Sequence, residues 1–187
     1  MHMGKDRLRT DRLFIRPVSI FDVPVLHKWW NDPRIMMHVG FPDGLQLKLN
    51  DVYNMIIKAQ KRDHILATDR RFIIEKSINL EPIGEISYSS WEPEAKVVSV
   101  GIKICNLSAQ RQGYAFEAMN CFIVFFQSHL LVNKIVLNTY SKNLPARRLY
   151  EKVGFIPVMT RKQFKFSKTY NSYQDVVFYE YTLPCHS

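Results

Sequence analysis

Residues 105–120, "CNLSAQRQGYAFEAMN", place Gln110, Arg111, Gln112 and Gly113 between a β-branched run and an amphipathic, helix-like run. A glycine and a small residue, Ala115, at the mouth of a helix raise two readings. The first turn of a helix has free N–H groups and a positive dipole end, so missing side chains there let an anion such as a phosphate come close. The other reading is an ordinary helix start. Spacing alone does not choose between them, and the surrounding chain has to supply the context.

Working outward, three strand-like runs precede the turn: "RFIIEKS", "IGEISYSSW" and "KVVSVGIKI", separated by "NLEP" and "EPEA". Their β-branched content and turn punctuation predict an antiparallel meander. A helix is expected from about Gln112 to His129, with Ala115, Met119, Phe122, Ile123 and Phe126 on its core side. "KIVLNTY" (134–140) reads as a strand, "NLPARRLYEKV" (143–153) as a helix, and "DVVFYEYTL" (175–183) as a last strand after a basic loop. Upstream, "RLFIRPV" (12–18) alternates like a strand, Asp22 is placed to cap a helix through "VPVLHKWW", and Val52, Met55, Ile56 and Ala59 stripe a helix over 49–62. A meander followed by strand, helix and strand indicates an α/β or α+β layout, a mixed and mostly antiparallel sheet flanked by helices.

The helix at 143–153 carries its own boundaries. Asn143 is a good N-cap, Pro145 suits a first turn, and Gly154 sits where a left-handed C-terminal cap belongs. Ala146, Leu149 and Val153 form a core stripe, while Asn143, Arg147 and Tyr150 share a neighbouring stripe that borders the core.

With 187 residues, 47% of them hydrophobic and 13% aromatic, one core and one domain (1–187, core about 8–183) are expected. The longest apolar runs, such as "CFIVFF" at 121–126, are too short to span a bilayer, and the first residues lack the apolar stretch of a secretion signal. A cytoplasmic protein with no membrane role is therefore expected. Cys105, Cys121 and Cys185 are an odd number without close pairing or a histidine cluster, which reads as reduced thiols and no metal site.

The net charge of +9 is uneven. Between Lys134 and Tyr170 there are nine basic residues against one acid, Glu151, whereas residues 80–95 carry Glu81, Glu85, Glu92 and Glu94 with no Lys or Arg. One part should attract anions and another cations, unless both are simply solvated faces.

Taken together, "VVSVGIKI", "QRQGYA" and "NLPARRLYEKVGF" resemble the GNAT superfamily of acyl-CoA-dependent N-acetyltransferases. The opening "LRTDRLFIRPVSIFDVPVLHKWWNDPRI" is similar to the branch that contains the ribosomal-protein N-terminal acetyltransferases. The resemblance implies that the glycine turn binds the pyrophosphate of coenzyme A through Arg111, Gln112, Gly113, Tyr114, Ala115 and Phe116. It implies a splayed strand holding the pantetheine arm near Lys103, Ile104 and Cys105, a cofactor contact at Asn143, and a general acid at Tyr150. Acetyl-CoA is then the co-substrate, and an amine, on a small molecule or a protein N-terminus, is the acceptor; a monomer or a homodimer is compatible with this.

The chain departs from the family pattern at the general base. Where some members place a glutamate five residues before the asparagine, this chain has Asn138, and the strand before the glycine turn offers Ser99 or Val100. Glu85 is left as the candidate base, with a surface glutamate and a relay of water as the alternatives. A catalytically silent CoA-binding sensor, or a nucleic-acid-binding module using "RKQFKFSKTY" (161–170), are the competing functions. The counter-reading of that segment is a basic hairpin whose aromatics face the core.

Overall fold

A computed structural model describes residues 7–61 and 67–184. Cys185, and the last residue expected for the helix at 49–62, lie outside them. The chain forms two compact units, one drawn from residues up to 18, 62–136 and 181 onward, the other from 19–61 and 137–180.

The first unit is the expected meander with its helix. Strands β1 (Leu8–Arg9), β2 (Leu13–Pro17), β3 (Arg70–Lys76), β4 (Pro82–Glu92) and β5 (Val97–Ile104) pair antiparallel in that order. Two-residue alternation sends Phe72, Ile86 and Tyr88 to one face and Arg71, Glu75, Glu85 and Lys103 to the other. The helix after β5, Tyr114–Phe125, packs on β2 and β5. There Phe72 meets Phe122 edge-on at 5.1 Å, and Tyr88 meets Phe126 at 5.6 Å. Such tilted contacts suit the ring quadrupoles better than face-to-face stacking.

The helix departs from the sequence expectation at both ends. It starts at Tyr114, with Gly113 as its N-cap, and after Phe125 it widens into a π-helical turn, Phe126–Leu130. Phe122, Phe125 and Phe126 are all buried, and the widened turn also brings Leu130 inward.

In the second unit, α1 (Val23–Asn31) buries Val23, Leu26, Trp29 and Trp30, a short α2 (Pro33–Met36) follows, and α3 (Leu49–Lys61) buries Val52 and Ile56. Asp22 does stand at the N-cap position of α1, but its carboxylate accepts from Ser19 N–H at 2.7 Å instead of capping α1. Met55, expected on the core stripe of α3, is exposed, because only the 52/56 line of this helix is covered. The helix of the first unit is α4 in chain order, and β6 (Lys134–Tyr140) leads from it to α5 (Leu144–Val153).

The stretch after α5, read as a basic loop and over 161–170 as a basic hairpin, does form a hairpin: a twelve-residue strand, β7 (Ile156–Ser167), pairs antiparallel with β8 (Ser172–Thr182). Every β7 residue but Ser167 is exposed. Without a buried face the strand has no alternating pattern to reveal it. Phe164, Phe166 and Tyr170 are exposed, which corrects the expectation of core-facing aromatics. The eight strands run in the order β1-β2-β3-β4-β5-β6-β8-β7, a mixed and mostly antiparallel sheet.

No helix among the described residues is long and apolar enough to cross a membrane. Phe122 is fully buried against three aromatic neighbours, so Phe122→Ala should destabilise the protein by about 3–5 kcal/mol. Urea unfolding followed by circular dichroism would measure this.

Candidate active site

The feature that opens the site is a change of partner along β5. Its parallel pairing with β6 covers only Val97–Ser99 against Lys134–Val136, whereas its antiparallel pairing with β4 continues to Ile104. Past Ser99 no ladder to β6 is found among the described residues, and Gly101, Ile102 and Ile104 retain solvent exposure. A strand that loses one neighbour offers backbone groups to an extended ligand, which is the geometry of strand addition.

On the other side β5 is held hard against β4. A Cβ at Gly84 would stand 2.3 Å from the carbonyl oxygen of Lys103, so only glycine permits this approach. Cys105 and Asn106 both donate their N–H to Ile83 O, at 2.8 and 2.9 Å, and Gln110 Nε2 donates to Ile104 O at 3.0 Å. Cys105 is buried, and burial pushes its thiol well above the ordinary range, which removes it as a nucleophile.

The chain then makes a short 3₁₀ turn, Leu107–Ala109, and reaches α4 through Arg111 and Gly113, both with positive φ (60° and 85°). Gly113 therefore has two reasons to be glycine: the left-handed backbone it adopts and the open helix mouth it leaves. Arg111, Gln112 and Gly113 are exposed, while Tyr114, Ala115 and Phe116 are half-buried. As an N-cap, Gly113 brings no side-chain acceptor to the first turn. Such a helix mouth suits an external anion, with the positive dipole end behind it. Gln112 turns its side chain back, donating to Ser108 O at 2.6 Å.

Glu85 is neither a surface glutamate nor an unpaired base. It is 2% exposed and lies on the face opposite α4, 2.6 Å from Arg71 Nη1 and 2.8 Å from Lys103 Nζ. Burial alone would raise its pKa, but the charges of Arg71 and Lys103 outweigh it and pull the carboxyl down to about 2. A carboxylate that weakly basic is poorly matched to taking a proton near neutral pH. The glutamates expected to steer a cation are also partly spent, since Glu81 binds Lys76 Nζ at 2.8 Å and accepts from Asn106.

In the second unit Asn143 caps α5, its side-chain oxygen accepting from Ala146 N–H at 3.3 Å while its Nδ2 donates to Thr139 Oγ1 at 3.2 Å. Gly154 closes the helix in the left-handed conformation, as its position indicates. Tyr150 does not merely border the core: at 7% exposure it is the only buried residue of α5, while Ala146, Leu149 and Val153 are half-buried. Its ring packs edge-on against Tyr179 at 5.7 Å, and burial followed by the neighbouring Tyr179 raises its pKa to about 12. Tyr179 itself accepts from Arg147 Nε at 3.1 Å and donates to Glu151 at 3.0 Å. Neither Tyr179 nor the Arg71 partner of Glu85 was singled out by sequence; both contacts join residues distant in the chain or across strands.

Nor is the basic stretch from 134 onward uniformly available. Lys162 pairs with Asp175 at 2.7 Å, Arg147 is tied to Tyr179 and Ser141, and Arg161 lies over Phe164 and Phe178. Among the described residues no group of histidine, cysteine and carboxylate side chains could hold a metal ion.

Residues 12–156 match the family of acetyltransferase (GNAT) domains. No curated protein matches the chain. Among solved structures, a spermidine N-acetyltransferase from Vibrio cholerae, in complex with CoA and spermine, is 21% identical with a TM-score of 0.81, over 92% of this chain and 96% of that one. RimL, a ribosomal L7/L12 alpha-N-protein acetyltransferase in complex with coenzyme A, is 16% identical with a TM-score of 0.84, over 95% and 98%. An acetyltransferase of the GNAT family from Bacillus anthracis is 20% identical with a TM-score of 0.78, over 94% and 98%. These likenesses are of fold.

The ionisation of Glu85 has a measurable consequence. Its folded-state pKa lies below the ordinary 4.5, so its stabilising contribution is complete above about pH 4.5 and is lost as pH falls toward 2. A shift of this size corresponds to at most about 3 kcal/mol. Glu85→Gln should lower stability at pH 7 and flatten the loss between pH 5 and about 3 relative to wild type, read from urea midpoints at each pH. Parallel pH profiles for the two proteins would mean that the ion pairs contribute nothing.

Proposed function

The chain belongs to the GNAT acetyltransferase family, and on that premise we propose that it transfers the acetyl group of acetyl-CoA to the α-amine of a protein or peptide N-terminus. The observation that carries the cofactor half is the turn at Arg111–Gly113. It delivers the open N-terminus of α4 immediately after a strand that has parted from β6. A pyrophosphate suits such a helix mouth, and the pantetheine arm suits the unladdered edge near Lys103, Ile104 and Cys105.

In this reading Arg111, Gln112, Gly113, Tyr114, Ala115 and Phe116 form the phosphate seat, with Asn143 as a further cofactor contact. A backbone N–H of β5 near Ile104 would stabilise the oxyanion of the tetrahedral intermediate. The attacking amine must be neutral and sheds a proton as the C–N bond forms, while the departing thiolate gains one. Tyr150 serves the sulfur. With its pKa near 12 the phenol stays protonated, so it donates a hydrogen bond as negative charge develops. A thiol has a pKa of about 8.5, so complete loss of the phenolic proton to sulfur is uphill, and the proton balance closes through the one the amine releases.

The acceptor follows from the base. With Glu85 assigned to tie β3, β4 and β5 together, the base is a relay of water, and the substrate has to supply its own neutral fraction. An α-amine with a pKa of about 8 is roughly one-fifth neutral near pH 7.4, whereas a lysine-like amine at about 10.4 is neutral only about one part in a thousand. A polycation would also approach a chain of net charge +9 whose Glu81 and Glu85 are already paired. The buried Cys105 and half-buried Cys121, both free thiols, suit a reducing cytoplasmic setting.

A thiol-release assay with acetyl-CoA against peptides, polyamines and aminoglycosides tests this. Release with peptides, rising as pH passes about 8, is expected; release with polyamines alone would overturn the acceptor. CoA binding without release for any amine would make the chain a CoA-binding sensor. Gly113→Val, which strains a left-handed position and crowds the seat, should weaken CoA binding measured by calorimetry. Tyr150→Phe should lower kcat by about 10²-fold or more with CoA affinity nearly unchanged, and an unaltered kcat where chemistry limits the rate would remove Tyr150 from the mechanism.

A further inference from the structure

Helix α4 carries an acid at the end where an anion is meant to sit. Glu117 lies in its first turn, its N–H bonded to Gly113 O at 3.1 Å. A carboxylate there favours the helix dipole, but it competes with a phosphate for the same positive end and repels it. Such a residue has to be answered by a cation if the seat is to hold a pyrophosphate.

The answer comes from the segment before β2, about a hundred residues away in sequence. Arg12 grips the Glu117 carboxylate with Nε and Nη2, each 2.7 Å from Oε2, while its own backbone N–H reaches Oε1 at 3.0 Å and Thr10 Oγ1 donates to that same oxygen. Its Nη1 donates to Gln112 O at 3.1 Å, and the guanidinium stands 4.6 Å from the Tyr114 ring centroid. Nη2 also comes within 3.4 Å of the point a Cβ on Gly113 would occupy. One side chain thus touches Gln112, Tyr114 and Glu117 and borders Gly113. Burial raises the Glu117 carboxyl, yet the hydrogen bonds from Thr10 and Arg12 and the Arg12 charge bring it below the ordinary range, so the acid is ionised and the pair is a true ion pair.

We propose that Arg12 is a positioning residue for the cofactor: it cancels the charge of Glu117 and fixes the Gln112–Gly113 peptide, so that the first N–H groups of α4 are presented to an anion with no competing carboxylate. The proposal rests on reading the turn as the pyrophosphate seat of CoA. Its distinguishing feature is that Arg12 acts through Glu117, so removing the acid removes the need for the base.

The test is calorimetric CoA binding by the full chain as wild type, Arg12→Gln, Glu117→Gln and the double variant, each at low and high salt with circular dichroism as the folding control. Arg12→Gln should weaken CoA binding about tenfold at low salt, with a smaller loss at high salt because the pair is partly exposed. Glu117→Gln should tighten binding, and the double variant should recover to within about threefold of wild type. A purely structural role for Arg12 predicts a loss that salt does not alter and that Glu117→Gln does not rescue, and either result overturns the proposal. Wild-type affinity in folded Arg12→Gln overturns it equally. Should Arg12→Gln fail to fold, Glu117→Gln still decides, since weaker CoA binding in that variant contradicts the idea that the acid opposes the cofactor. Failure of the wild type to bind CoA at all would instead overturn the reading of the turn.

Discussion

The organisation of the first unit depends on one unequal sharing of hydrogen bonds. β5 is bound to β4 as far as Ile104 but to β6 only across Val97–Ser99. A strand with ladders on both sides has no backbone left to offer, and a strand with none would not hold its shape. β5 sits between these limits because Gly84 lets its backbone close on β4, and because the Arg71–Glu85–Lys103 charges bridge β3, β4 and β5 on the same face. Beyond Ser99 the strand is therefore held from the β4 side while its ladder to β6 has ended, and holding a strand in shape before binding is what recognition of an extended ligand requires.

Charge is handled in the same way at three places: an acid that would be costly or disruptive alone is given more than one cationic or hydrogen-bonding partner. Glu85 has Arg71 and Lys103, Glu75 has Arg16 and Arg7, and Glu117 has Arg12 and Thr10. Burying a carboxylate without such partners would cost several kcal/mol. The consequence for chemistry is that none of these three acids offers an unpaired carboxylate to act as a base.

Much of the scaffold was legible in the sequence, for reasons that can be given element by element. β3, β4 and β5 were readable because turn residues separate their β-branched runs, and α5 because Asn143, Pro145 and Gly154 mark its ends locally. For β7 only the hairpin at 161–170 was readable and its reach back to Ile156 was not, since neither of its faces is buried and periodicity needs a covered face. The depth of Tyr150 was missed because a helical wheel ranks faces without knowing which neighbours cover them. Glu85 was misjudged for a related cause: its partners lie on adjacent strands, and only the register shows that Lys103 stands beside it and Arg71 one step along. The Arg12–Glu117 pair bridges 105 positions and has no local signature, although "TDR" and "GYAFE" each held half of it in plain view.

Positive charge on this chain is best understood as local compensation before it is read as attraction for a partner. Arg12, Arg16, Arg71 and Lys103 each answer a specific carboxylate, and Lys162 answers Asp175. The 26 basic residues therefore overstate how many cations are free to meet an anionic ligand, since many of them answer carboxylates of the chain itself. A phosphate seat does not depend on such a surplus, because oriented backbone N–H groups at a helix mouth supply donors and partial positive charge without any side chain. That makes the geometry of Gly113, together with whatever neutralises Glu117, more decisive for anion binding than the count of lysines and arginines downstream.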